Sequence, residues 1–211
     1  MIESYLKAVD SVVERLFEAR VEYETTLNDL FRLSIGPIFT FNRNNSEEVI
    51  ENDHAKWSQS THISQEKEIA SLALEELGDE LFALSVIDGS LLQIACKGID
   101  LYSINTINSS PIDDLSINLC KFSVGTKIDG MPSGLIVYAG RNHYNHLEDG
   151  SKLRKPSKQI VDYLDEKVAN FEFYLEPYSG LPGVSTASFI KILGWNNIED
   201  FKKTLLSINE I

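Results

Sequence analysis

Between residues 2 and 33, apolar side chains fall at Ile2, Tyr5, Leu6, Val9, Val12, Val13, Leu16, Tyr23, Leu27, Leu30 and Phe31. Steps of three and four are the spacing of one buried helical face. The pattern predicts a helix over 2–33, with Arg20 and Glu24 on its flanks and a stop at Gly36-Pro37. So long a helix suits a bundle or a dimer seam, because one neighbour cannot cover its apolar surface. A second helical region, 64–104, puts Ile69, Leu72, Ala73, Leu77, Leu81, Leu84 and Ile87 on one face. Ser64 is its expected cap, and Glu66 lies in its first turn. Glu75, Glu76, Asp79 and Glu80 make its solvated face. Asp88-Gly89-Ser90 predicts a break or kink. Leu91, Leu92, Ile94, Ala95 and Ile99 then continue as an apolar, buried segment.

Residues 34–63 and 105–132 read as long connectors. In the first, 42–46 is a loop, and Ser46-Glu47-Glu48-Val49 resembles a capped helix start. His54 and His62 read as exposed loop histidines, with no ligand spacing around them. The second connector is rich in Asn, Ser, Asp and Pro, and such a connection is functional or flexible. Within it, 116–124 is either a short helix or a strand, since its period does not decide. Ser133 is the expected cap of a helix that starts with Leu135-Ile136-Val137-Tyr138. Ser157 opens another, with Ile160, Val161, Leu164, Val168 and Phe171 on one face. A last pair runs over 185–193 and from Asn197 to Ile208. The predicted fold class is all-α: an elongated bundle of about five or six helices with long inserted loops, one domain over 1–211.

Composition changes this picture little. At 43% hydrophobic and 24% charged, the chain is ordinary for a globular protein. No apolar run approaches the ~20 residues that span a bilayer. The amphipathic, acidic N-terminus is unlike a signal peptide. Cys96 and Cys120 lie among apolar neighbours without ligand spacing, so buried thiols in a reducing cytoplasm are expected. No Walker loop, dinucleotide glycine pattern, nucleophile elbow or zinc spacing occurs. The net charge of −13 argues against broad, high-affinity nucleic-acid binding. Yet Lys152, Arg154, Lys155 and Lys158 fall within seven positions, with no acid among them.

The chemistry concentrates just before that basic strip, in Ala139-Gly140-Arg141-Asn142-His143-Tyr144-Asn145-His146-Leu147-Glu148. An arginine neutralises phosphate and stays charged at any accessible pH. A histidine donates and accepts protons near neutrality. Together they are a charge stabiliser and a proton shuttle, which metal-free cleavage of an RNA phosphodiester requires. On a straight helix Arg141 and His146 stand about 140° apart, at 100° per residue. A shared site therefore needs arginine's long reach, a fraying helix end or a second chain.

Arg141, Asn142 and His146, with four residues between Arg and His, resemble the signature of the HEPN superfamily. That signature is an arginine, a polar residue, three to five further positions and a histidine. The resemblance covers roughly ten residues plus a compatible helical layout. It implies a helical bundle acting as a metal-independent ribonuclease of toxin–antitoxin or antiviral defence, with the motifs of two protomers sharing one cleft. On that resemblance His146 is the general acid–base and Arg141 steadies charge on the phosphorane. Asn142 orients the site, and His143 is a lesser catalytic candidate. Tyr144, Asn145, Lys152, Arg154 and Lys155 are candidates for holding RNA. No cofactor, metal or membrane is implied; an antitoxin or defence-system protein is an implied partner. Two other readings stay open. One is a catalytically silent helical accessory protein for a basic partner, which the net charge favours. The other is a nucleotide-sensing bundle that uses Arg141 and the 152–158 strip for phosphate without cleavage.

Overall fold

The computed structural model describes residues 2–113, 115–144, 154–167 and 186–209. Among these residues the fold is all-α, with eight α-helices, one short 3-10 turn and one two-stranded hairpin. Helix α1 spans Ile2–Ser34, α2 spans Glu47–Ser58 and α3 spans Thr61–Tyr102. The short α4, Ile117–Cys120, precedes the strands β1, Lys127–Ile128, and β2, Met131–Pro132. Helices α5, Ser133–Tyr144, α6, Ser157–Lys167, α7, Thr186–Ile192, and α8, Ile198–Leu206, follow. Asn197 caps α8, its side-chain oxygen accepting from the backbone N–H of Glu199 (2.9 Å) and Asp200 (3.1 Å).

The chain forms two compact units. The first comprises Met1–Tyr23 and Leu81–Ile211, the second Glu24–Glu80. The core of the first is built around α5, whose Leu135, Ile136, Val137 and Ala139 are fully buried. Leu91, Leu92, Ala95 and Ile99 of α3 join that core, as do Val13 and Phe17 of α1 and Ile160 and Leu164 of α6. Phe189, Trp195, Phe201 and Leu205 complete it. In the second unit four apolar side chains are buried: Leu30, Ala70, Ala73 and Leu77. Its loop is pinned to α2 by rings, with Phe39 5.1 Å from His54 and 5.4 Å from Trp57, and Lys67 lies 5.1 Å over the Trp57 ring.

Several expectations are corrected here. The stretch 34–63 is more than a connector, because it contains α2 and the start of α3. His54 sits on α2 rather than in a loop. Helix α3 runs through Asp88-Gly89-Ser90 without a break. Those residues meet packing demands instead: Asp88 is wholly buried and accepts from Arg20 Nε at 2.9 Å. Arg20 therefore belongs to the buried face of α1, not to its flank. Ile69 and Leu72 are exposed, and α3 turns Ala70, Ala73 and Leu77 inward. By length and composition α3 is long and apolar enough to cross a membrane, although polar residues interrupt any unbroken run. Of its most apolar window, 56% is buried within the protein.

The 105–132 connector is ordered by its own polar side chains. Asn105 Nδ2 donates to the Cys120 carbonyl (2.6 Å), and Ser103 Oγ to that of Lys121 (2.6 Å). The Ser109 N–H donates to Ser123 Oγ at 2.8 Å. Asn and Ser thus satisfy backbone groups that no ladder reaches. Near its end, Asp129 (φ 47°) and Gly130 (φ 90°) make the tight turn that pairs Ile128 with Met131. Cys96 and Cys120 are buried free thiols.

Candidate functional site

The candidate site grows from the last turn of α5. This helix is fixed at both ends by glycine. A Cβ on Gly134 would lie 2.5 Å from the Phe122 carbonyl oxygen. A Cβ on Gly140 would lie 2.8 Å from the Phe189 ring. Only glycine permits both approaches. With its first two turns buried and clamped, α5 carries Arg141, Asn142, His143 and Tyr144 to set positions. The cation at a helix C-terminus also complements the negative end of the helix dipole.

Arg141 is half-buried, and its partners are neutral. Its Nε donates to Gln93 Oε1 on α3 at 2.7 Å. One terminal nitrogen donates to Asn142 Oδ1 at 2.9 Å. Asn142 Nδ2 in turn donates to Ser157 Oγ, at the start of α6, at 3.0 Å. Among the described residues no carboxylate pairs with Arg141. Two amides therefore hold the guanidinium in place without neutralising it. Its charge also reaches Cys96, whose thiol burial pushes up and Arg141 partly offsets.

His143 points the other way. Two residues along α5, it stands about 200° from Arg141. It is 8% exposed, its ring 6.0 Å from Phe189. Burial brings its pKa down to about 4, so it is neutral at pH 7. A proton shuttle needs a pKa near the working pH. Tyr144 returns to the Arg141 side and lies against α3, where a Cβ on Gly89 would be 2.2 Å from its ring. Gly89 and Gln93 are one turn apart on α3 and receive Tyr144 and Arg141 of α5.

Arg154 and Lys155 are exposed just ahead of α6. Neither is paired with a carboxylate among the described residues, whereas Lys158 pairs with Asp162 at 2.7 Å. The Asn142–Ser157 bond ties this start of α6 to the last turn of α5. Asn145, His146 and Lys152 lie outside the described residues.

The structure thus joins Arg141 and Asn142 to Ser157 at the start of α6 and sends His143 into the core. Sequence reasoning missed Gln93 and Ser157. Gln93 carried a signal, as the one amide within the otherwise apolar stretch 91–96. Ser157 carried none beyond its place at a helix start. Among the described residues, no group of three or more His, Cys, Asp or Glu side chains is placed to hold a metal ion. The arrangement offers a guanidinium with amide neighbours and, among the described residues, no carboxylate, which suits a phosphate or a carboxylate ligand. Compared with known proteins, the chain matches no family model, no curated protein and no solved structure.

Proposed function

We propose that this is a HEPN-like, metal-independent endoribonuclease of the cytoplasm, acting as a homodimer in toxin–antitoxin or antiviral defence. One observation carries the reading: Arg141 is positioned by Gln93 and Asn142 and, among the described residues, pairs with no carboxylate. An arginine kept for structure alone is commonly neutralised by an acid, as Arg20 is by Asp88. An arginine held by amides keeps its charge for a ligand. Arg154 and Lys155, which pair with no carboxylate among the described residues, extend that charge along a short strand of RNA.

In the proposed reaction, His146 takes the proton of an RNA 2′-hydroxyl. The freed oxygen attacks the adjacent phosphorus. Arg141 steadies the charge gathering on the phosphorane oxygens. The bond to the 5′ oxygen then breaks, that oxygen takes a proton, and a 2′,3′-cyclic phosphate remains. In-line attack sets the base and the acid on opposite sides of phosphorus. One copy of His146 from each protomer supplies both. His143, buried and neutral, takes no proton in this scheme.

The test is incubation of the purified chain with mixed RNA in EDTA, beside His146→Ala and Arg141→Ala. Wild type is expected to leave cyclic phosphate ends. Each variant is expected to slow by ~10²- to 10⁴-fold. Gln93→Ala should lower kcat less, by freeing the guanidinium to wander. Equal cutting by wild type and His146→Ala overturns the reading, as does no cutting by a folded wild type.

A further inference from the structure

The unit Glu24–Glu80 takes no part in the site above, and its surface has a chemistry of its own. We propose that it docks a protein partner through a helix whose apolar face is bordered by lysine and arginine. This does not rest on the ribonuclease reading. The unit has too much apolar surface for what it buries. Phe31, Leu33 and Phe41 are each more than half exposed, as is Ile69, while Ile38 is 74% and Leu72 59% exposed. Helix α2 buries none of its residues.

Two of these side chains lie on one flank of α3. On α3, Ala70, Ala73 and Leu77 face inward. At 100° per residue, Ile69 lies about 40° and Leu72 about 100° from Ala73. Ile69 and Leu72 thus stand beside the covered strip, in a sector they share with the acids Glu76 and Asp79. Exposed apolar side chains rimmed by charged residues mark an interaction site.

Charge selects the occupant. Residues 24–80 hold twelve Asp and Glu against four Lys and Arg, a net −8. A second copy would set −8 against −8. An anionic lipid surface or an RNA would meet the same repulsion. A cationic amphipathic helix satisfies both features, with leucine-like side chains on the apolar strip and lysines facing the rim. Such charge matching speeds encounter and rejects wrong partners.

The experiment uses the full chain and a fluorescein-labelled peptide of about five helical turns. The peptide carries leucine on one face and lysine on the other. Controls are the same composition scrambled to remove the face, and the same pattern with glutamate for lysine. Fluorescence anisotropy is expected to show binding of the patterned Leu/Lys peptide at least tenfold tighter than of the scrambled one. Rising salt should weaken it, and the glutamate peptide should not bind. The double substitution Ile69→Gln with Leu72→Gln should cost about tenfold or more. Val12→Gln, an exposed position of the other unit, should cost nothing. Circular dichroism confirms that each variant keeps its helices. Equal binding of the scrambled peptide reduces the surface to bare charge and overturns the proposal. So does undiminished binding by the double variant. A dimer by sedimentation that this double variant dissolves also overturns it, and assigns the face to a second copy.

Discussion

His143 gives a quantitative test of how the motif is divided between core and site. Burial holds its pKa at about 4, against about 6.5 in an unfolded chain. The unfolded chain therefore takes up a proton near pH 6.5, while the folded chain resists until near pH 4. This contribution to stability is complete above pH 6.5. It is lost as pH falls from 6.5 to about 4, and levels off below that. At ~1.4 kcal/mol per pH unit, the loss approaches about 3 kcal/mol. That is a large share of the ~5–15 kcal/mol that holds a typical domain. The perturbation is His143→Gln, which keeps a polar side chain of similar reach but does not titrate. Urea unfolding followed by circular dichroism, at steps between pH 4 and 7.5, measures both proteins. The carboxylates contribute equally to each, so the difference between the two curves isolates His143. Wild type is expected to fall about 3 kcal/mol further than the variant over this window. Parallel curves would show that the imidazole titrates freely, and would return His143 to the list of candidate proton carriers.

Two packing predictions accompany it. Arg20→Met leaves the buried Asp88 carboxylate without its cation and should destabilise by about 3–5 kcal/mol. Arg20→Met with Asp88→Leu should regain most of this in thermal unfolding, and a single-variant loss under about 1 kcal/mol contradicts the buried pair. Gly89→Ala must displace the Tyr144 ring, since its Cβ would lie 2.2 Å away. Overpacking of about 1–3 kcal/mol should outweigh the ~1 kcal/mol that alanine gains in a helix. A more stable Gly89→Ala protein would contradict that seam.

Periodicity made α1, α6 and α8 legible because burial is one-sided on each. The limits of α1, the run into α5 and the Asn197 cap of α8 all follow from spacing and end signals. The buried ion pair was legible in principle. Val13, Phe17 and Arg20 fall at i, i+4 and i+7, and so do Leu84, Asp88 and Leu91. A charge on the apolar stripe of each of two helices, opposite in sign, points to a pair between them. Gly89 is a breaker by composition, but a neighbour's ring determines its use, and no local pattern encodes that ring. The 105–132 connector hid its order for a similar reason. Asn and Ser are turn residues in any sequence, and only the fold decides which carbonyl each meets. At the site, the run 141–144 is where the candidate chemistry concentrates. Its helical phase then decided the roles: Arg141 and Tyr144 meet α3, while His143 meets the core.

The net charge was the strongest argument in the sequence against RNA, and its distribution weakens that argument. Of the thirteen net negative charges, eight belong to residues 24–80. The other 154 residues carry twenty acids against fifteen Lys and Arg, a net −5. They include Arg141, Arg154 and Lys155, all without carboxylate partners among the described residues. Three such cations bind single-stranded RNA weakly, with a logarithmic salt slope on the order of −2. Weak, local binding matches an enzyme that must release its product more than a protein that must hold RNA. In the proposed docking, the acidic unit repels RNA for the same reason that it attracts a basic protein. On these two proposals, one chain carries a small cluster of cations in one unit and an acidic, apolar docking surface in the other.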